Sequence, residues 1–270
     1  MTSFKEYVAS NKEAWERTAN KYEADIEQDV AFLRNGGINQ LEAERRILGD
    51  LAGVQCAIHL QCSHGLDALS LLNMGVREVV GVDISKEMLG QAQRKSEALG
   101  APAQWIESDV LSVPASLNHT ADLVYTGRGA LPWVHDLDAW AGVVVRLLKP
   151  GGRLFVHEGH PLTWVWHPEA NTYQLDPGGR GYFDTRARPN EDFPAAATAQ
   201  YTPEGEAVPT AWEWQWTIGE VVTAVVKAGL LIEHLEEHAD HFWDQYPDVA
   251  PEMSARLPHT YSLLARVPGP

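Results

Sequence analysis

Cysteine is scarce in this chain: two residues, Cys56 and Cys62, among 270. They flank one short apolar run, and no second pair exists to complete a zinc site or a disulfide framework. Two buried thiols in a reducing compartment are the expectation, with no metal site. Positive charge is also short. Against 37 Asp and Glu stand 21 Lys and Arg, a formal net charge of −16. A field of that sign repels phosphate backbones, so no nucleic-acid partner is expected. No apolar run is long enough to cross a bilayer. The opening MTSFKEYVASNKEAW carries charge throughout and no apolar core, so neither a signal peptide nor a membrane partner is expected, and the location expected is cytoplasmic. What is present is a hydrophobic fraction of 44%, ample for a sizeable core.

The chain is organised around residues 56–85, CAIHLQCSHGLDALSLLNMGVREVVGVDIS. An apolar run, Cys56 to Leu60, enters a tight polar turn ending at Gly65. A helical pattern follows, with Leu66, Leu69, Leu72 and Met74 apolar, and Gly75 stops it. A second apolar run, Val79 to Val82, ends on Asp83. Strand, turn, helix and strand make one βαβ unit. Ligands of such units sit at the carboxyl ends of the strands, and an acid after the second strand suits a ribose diol. Asp83 lies 18 residues past Gly65, close to the expected offset. The unit predicts a nucleoside-binding crevice.

Residues 4–34 are helical in pattern, Gly36-Gly37 breaks them, and a second helix is expected over about 40–51. Residues 1–54 are too short for a core of their own and read as a helical cap packed on the main domain, 55–270. Strands are expected near 56–61, 78–83, 103–107, 121–126 and 153–158, with helices near 66–74, 86–99 and 136–148. Strands alternating with helices imply a parallel sheet covered on both faces, an α/β fold. Residues 159–211 break the rhythm. They are rich in Pro, Gly, Trp and Tyr, and suggest an inserted substrate or lid region with a hairpin turning at Pro203-Glu204-Gly205. A helix near 217–228 and strands near 230–236 and 259–267 complete the pattern.

Together, the turn to Gly65, Asp83, Asp109 after strand three, ADLVYT at strand four and LLKPGGRLFV into strand five resemble the class I S-adenosylmethionine (SAM) dependent methyltransferases. The resemblance is strong over 56–158 and weaker over 217–267. It implies a Rossmann-like sheet of order 3-2-1-4-5-7-6 with the last strand antiparallel, and SAM as cofactor. One departure stands out. The family's first motif runs acid-x-Gly-x-Gly-x-Gly; here it reads His59-Leu60-Gln61-Cys62-Ser63-His64-Gly65. HLQC followed by GLD, with the tail GEVVTAVVKAGL, resembles a bacterial subgroup that carries this variation. An NAD loop would need G-x-G-x-x-G for the pyrophosphate, whereas SAM has no phosphate and tolerates a glycine-poor turn.

The resemblance implies that Asp83, with Ile84 beside it, takes the ribose hydroxyls, and that Asp109 and Val110 take the adenine. Gln61, Cys62, Ser63 and Gly65 line the methionine end, Thr126 lies nearby, and Tyr22 caps the carboxylate. Asp67 reads equally as a ligand contact or as a favourable charge at a helix start. Tyr125 and Arg128 follow strand four, where the methyl points, with Arg128 expected to reach a substrate carboxylate. His157 and Glu158 alternate to opposite faces. His160, past the strand, is the better candidate base and His157 the second. The aromatics of the insertion, among them Trp164, Trp166, Tyr173, Tyr182, Phe183, Trp212, Trp214 and Trp216, are expected to supply an apolar acceptor pocket. The expected activity is methyl transfer to a small apolar or aromatic molecule by a monomer or homodimer. A SAM-binding regulator without transfer and an RNA or protein methyltransferase stay open as alternatives.

Overall fold

A computed structural model of the chain describes residues 3–167, 171–243 and 246–269. Seven strands form one sheet: β1 (Cys56–Leu60), β2 (Glu78–Asp83), β3 (Ala103–Glu107), β4 (Ala121–Gly127), β5 (Leu148–Gly159), β6 (Leu231–His238) and β7 (Thr260–Arg266). With the short ribbon described below left out of the count, their order is 3-2-1-4-5-7-6. β1 to β5 pair in parallel, and β7 runs antiparallel to both its neighbours. All five residues of β1 are buried, which is why that run shows no alternation: helices cover both its faces. At the edge, β6 alternates between exposed and part-buried positions.

Local signals set the element boundaries. Helices α1 (Phe4–Thr18) and α2 (Ile26–Arg34) are joined by a 3-10 segment, so 4–34 is helical nearly throughout. The short α3 (Glu42–Leu48) follows, then α4 (Leu66–Asn73) and α5 (Lys86–Leu99). Ser85 caps α5 by accepting from Met88 N–H at 3.2 Å, and Gly100 closes it in the left-handed region. α6 (Leu137–Leu147) packs on one face of the sheet. On the opposite face Leu48, Leu51, Tyr125 and Phe155 form a smaller core.

The insertion differs from the expected hairpin. There is a turn at Pro203, whose carbonyl accepts from Glu206 N–H at 3.1 Å, but the chain enters it from a helix, α7 (Ala195–Tyr201). The segment AAATAQY is rich in alanine, the strongest helix former, and that local preference outweighs the turn signal after it. A two-residue ribbon, Arg188–Pro189 against Trp212–Glu213, supplies the only pairing across the segment among the described residues of the named strands. Thr198 of α7 meets Thr18 of α1 at 3.0 Å, and the Asn11 side chain bonds both N–H and C=O of Trp212. The N-terminal helices are therefore tied to the insertion as well as to the sheet. α8 (Ile218–Lys227) opens on a Thr217–Glu220 capping box and leads into β6; α9 (Pro251–Ser254) precedes β7.

Candidate active site

The turn after β1 keeps its backbone shape without its glycines. Gln61 and Ser63 stand where the motif has glycine, and both adopt positive φ, 57° and 50°, as Gly65 does at 80°. Left-handed backbone costs a residue with a Cβ about 1–2 kcal/mol, so the path is held by its surroundings. Asp83 at the end of β2 accepts from Ser63 N–H at 2.7 Å, and its other oxygen accepts from Ser85 N–H at 2.9 Å. Lys95 of α5, fully buried, donates to the His64 carbonyl at 3.0 Å, contacts His64 Nδ1 at 2.5 Å and pairs with Asp29 of α2 at 2.6 Å. The His64 ring lies stacked on Tyr22, 4.2 Å between centroids. Gln61 Nε2 donates to the Ala130 carbonyl at 2.8 Å. The two bulky side chains of the turn, Gln61 and His64, are thus each held by a neighbouring group, and the hollow above β1 and β2 stays open. Gly65 serves a different purpose from the expected one. It does not line the hollow; a Cβ there would stand 2.6 Å from Ala92 and 2.7 Å from the Trp105 ring.

That hollow is a cavity of about 330 Å³. Asp83, Ile84, Asp109 and Val110 are in its lining, together with Gln61, Cys62, Ser63 and Tyr22. Asp83 is turned inward and buried, and burial raises its carboxyl to about 6 against the pull of three backbone N–H groups. It is still chiefly ionised at neutral pH, and a carboxylate with about four acceptor sites keeps one beyond those three N–H groups. Asp109 caps the turn after β3, accepting from Leu111 N–H at 2.9 Å. Buried polar atoms without a protein partner cluster near the floor: His59 Nδ1, Gln61 Oε1 and Arg128 Nε. An adenosyl amino acid fits such a set, the carboxylate suiting a ribose diol and the open polar atoms an amino-acid group.

Four expected side chains stand elsewhere. Tyr125 points into the smaller core, its hydroxyl on Glu44, because strand alternation turns it away from the cavity. Thr126 is fully buried and does not line this cavity. His157 is buried against Ser262 Oγ at 2.8 Å, and burial lowers it to about 3. His160 caps a 3-10 turn, accepting from Leu162 N–H at 3.1 Å, and its Nε2 meets Glu237 at 2.7 Å. Neither histidine lines this cavity. Arg128 lines the cavity, but it is held by Asp67 and lies 3.9 Å from Glu44. Burial works against its charge, and Asp67, Tyr125 and Glu44 more than offset that. It is an internal ion pair rather than a free hook for a substrate carboxylate. Glu158 accepts from the N–H groups of Gly129, Ala130 and Leu131 and so fixes the loop at the cavity rim, although burial raises its carboxyl to about 7.

A second cavity of about 410 Å³ opens beside the first. The two share Trp15, Tyr22, Arg128, Gly129, Trp133, Phe193 and Phe242. Of the insertion aromatics expected to form an acceptor pocket, only Trp164 lines this one. Phe183 is 83% exposed, and Trp216 packs on the main core. Sequence reading missed Phe193, Glu213, His241, Phe242 and His259, all on its wall. They come from segments without a period, so only the fold brings them together.

Residues 57–152 match the family model of a methyltransferase domain. Over that segment, from β1 into β5, the chain is similar to methyltransferase domains. A demethylmenaquinone methyltransferase of Thermus thermophilus is 38% identical over 84 residues, 31% of this chain; the matched part spans 37% of that relative's length. Among solved structures, a SAM-dependent methyltransferase from Mesorhizobium loti aligns over 83% of this chain and 95% of its own, with TM-score 0.60 and 22% identity. One from Clostridium acetobutylicum aligns over 93% and 98%, with TM-score 0.58 and 15% identity. A geranyl diphosphate C-methyltransferase from Streptomyces coelicolor, solved with S-adenosyl-L-homocysteine, aligns over 83% and 75%, with TM-score 0.53 and 14% identity. At these identities the structural likenesses establish the Rossmann-like methyltransferase fold. Among the described residues no helix is long and apolar enough to cross a membrane, and no cluster of His, Cys, Asp or Glu could hold a metal.

Proposed function

We propose that the protein is a SAM-dependent methyltransferase acting on a small aromatic or apolar molecule. The observation that carries this reading is the pair of joined cavities, one ending in a buried ribose-type carboxylate, the other walled by aromatic rings. SAM supplies an activated methyl group, so the protein's own task is placement. Asp83 and Asp109 would hold the nucleoside, and Gln61, Ser63 and Tyr22 the amino-acid end. Trp133, Trp164 and Phe242 would set the acceptor on the axis of transfer, which is worth a large share of the barrier when the reacting atoms are held about 3–3.5 Å apart. Trp15 and Tyr22 of the N-terminal helices, with Phe193 of the insertion, stand over the shared rim and would exclude water. The charge of −16 argues against a polymer with a phosphate backbone. Incubating the protein with methyl-labelled SAM and fractionated cell extract tests the acceptor class. Label is expected in the low-mass fraction; label in RNA or protein would contradict the small-molecule reading.

A further inference from the structure

We propose that the acceptor is an aromatic carboxylic acid and that Lys21 selects it by taking the carboxylate; the inference rests on the methyltransferase reading and narrows its acceptor class. Lys21 belongs to the 3-10 segment between α1 and α2 and lines the second cavity. Its side chain is exposed and so open to a ligand. The ammonium stands 4.3 Å from the centre of the Phe193 ring and 5.6 Å from that of Tyr22. Both rings line both cavities, so cation–π attraction holds the charge at the rim where the two hollows meet. What this ammonium lacks is a carboxylate. The chain has 37 Asp and Glu for 21 Lys and Arg, and Glu23 and Asp25 stand on the same segment. Glu23 is taken by Arg94 at 2.5 Å, and among the described residues no carboxylate pairs with Lys21.

The rest of that wall points the same way. Its other Lys, Arg, Asp and Glu side chains are matched: Arg128 is held by Asp67, and Glu213 by Asn190 at 2.9 Å and by Arg180 at 3.4 Å. One unit of positive charge is therefore left over beside the rings of Trp133, Trp164 and Phe242. A flat ring bearing a single carboxylate satisfies both halves of that wall. A phosphate is the poorer match, because its second charge asks for further donors or a guanidinium fork, and the one guanidinium on the wall is committed to Asp67. The overall charge of −16 does not oppose a small acid here. Charges farther off than about 8 Å are largely screened at physiological ionic strength, so the ammonium in contact decides.

The test compares 2-naphthoate with the neutral probes 2-naphthamide and naphthalene in fluorescence titrations of the full chain, with S-adenosyl-L-homocysteine titrated separately. At low salt 2-naphthoate is expected to bind about fivefold tighter than 2-naphthamide, the upper range for an ion pair that water can reach. That margin should shrink as salt is raised, a readout that needs no variant. Lys21→Met is expected to remove the margin, while naphthalene binds both forms alike. Equal binding of acid and amide to the wild type, a margin indifferent to salt, a margin that survives in Lys21→Met, a parallel loss of naphthalene in that variant, or binding of none of the probes overturns the proposal. If S-adenosyl-L-homocysteine binds and the acid shows no preference, the acceptor class fails and the methyltransferase reading stands. If it does not bind and the preference is intact, the cofactor reading fails and Lys21 stands as a carboxylate site.

Discussion

The first cavity is walled largely by the carboxyl ends of β1 to β4 and the turns that follow them, whereas the second draws on α1, the 128–133 loop, the insertion and the segment before β7. In the first, Asp83 and Asp109 stand where a strand ends and a turn begins, so they are fixed by the sheet itself. In the second, Trp15, Glu213, Phe242 and His259 come from four separate stretches that meet only after the chain has folded. The first region can accept a change of side chain if the backbone path survives, as Gln61 and Ser63 illustrate. The second has no such frame, and its chemistry depends on which rings and imidazoles happen to converge.

The seam between the two regions is where the largest effect is expected. Lys95 joins the cofactor turn to α2 through His64 and Asp29. Replacing it with Met leaves a mostly buried carboxylate without its ammonium, and a loss of about 4 kcal/mol in urea unfolding is expected. A loss below about 1 kcal/mol would show that the N-terminal helices are not fastened to the turn in this way. Next is Asp83→Ala, which removes the proposed ribose acceptor and the tie to Ser63. Affinity for S-adenosyl-L-homocysteine should fall about 100-fold while naphthalene binding in the neighbouring cavity holds, since the missing contact is charge-assisted. Equal losses at both sites would mean that the two cavities are not separable.

Acidity sharpens the same contrast. Burial lifts Asp83 to about 6, so the carboxylate proposed to accept from a ribose is protonated as pH falls through that value. Between pH 7 and pH 5 its ionised fraction drops about tenfold, and cofactor affinity should weaken by up to the same factor. Flat affinity across that range in titration calorimetry would remove Asp83 from the contact. The smallest effect is expected at Ser63→Gly. Relief of the left-handed backbone favours the variant, the added chain entropy of glycine opposes it, and the net change in unfolding free energy should be within about 1 kcal/mol. A larger loss would show that the Ser63 side chain, not the path of the backbone, holds the turn.

The α/β elements were legible because their signals are local. Ser85 and Gly100 bound α5, and the residues of β2 and β3 fall where the apolar runs end. The two missing glycines were legible as an anomaly but not as a solution, because the ties that hold positive φ, Asp83 to Ser63 and Lys95 to His64, join positions 20 and 31 residues apart. His157 and His160 were plausible from their place after a strand. Their engagement by Ser262 and Glu237 depends on the antiparallel return of β7 and β6, which no local pattern announces. The helix α7 was overlooked because the turn residues behind it drew the reading toward a hairpin.

Titration calorimetry of the wild-type chain with S-adenosyl-L-homocysteine bears most directly on all of this. One ligand per chain, bound with measurable heat and displaced by SAM, is the expected result. A folded protein that takes up neither compound would contradict the placement of an adenosyl group above β1 and β2.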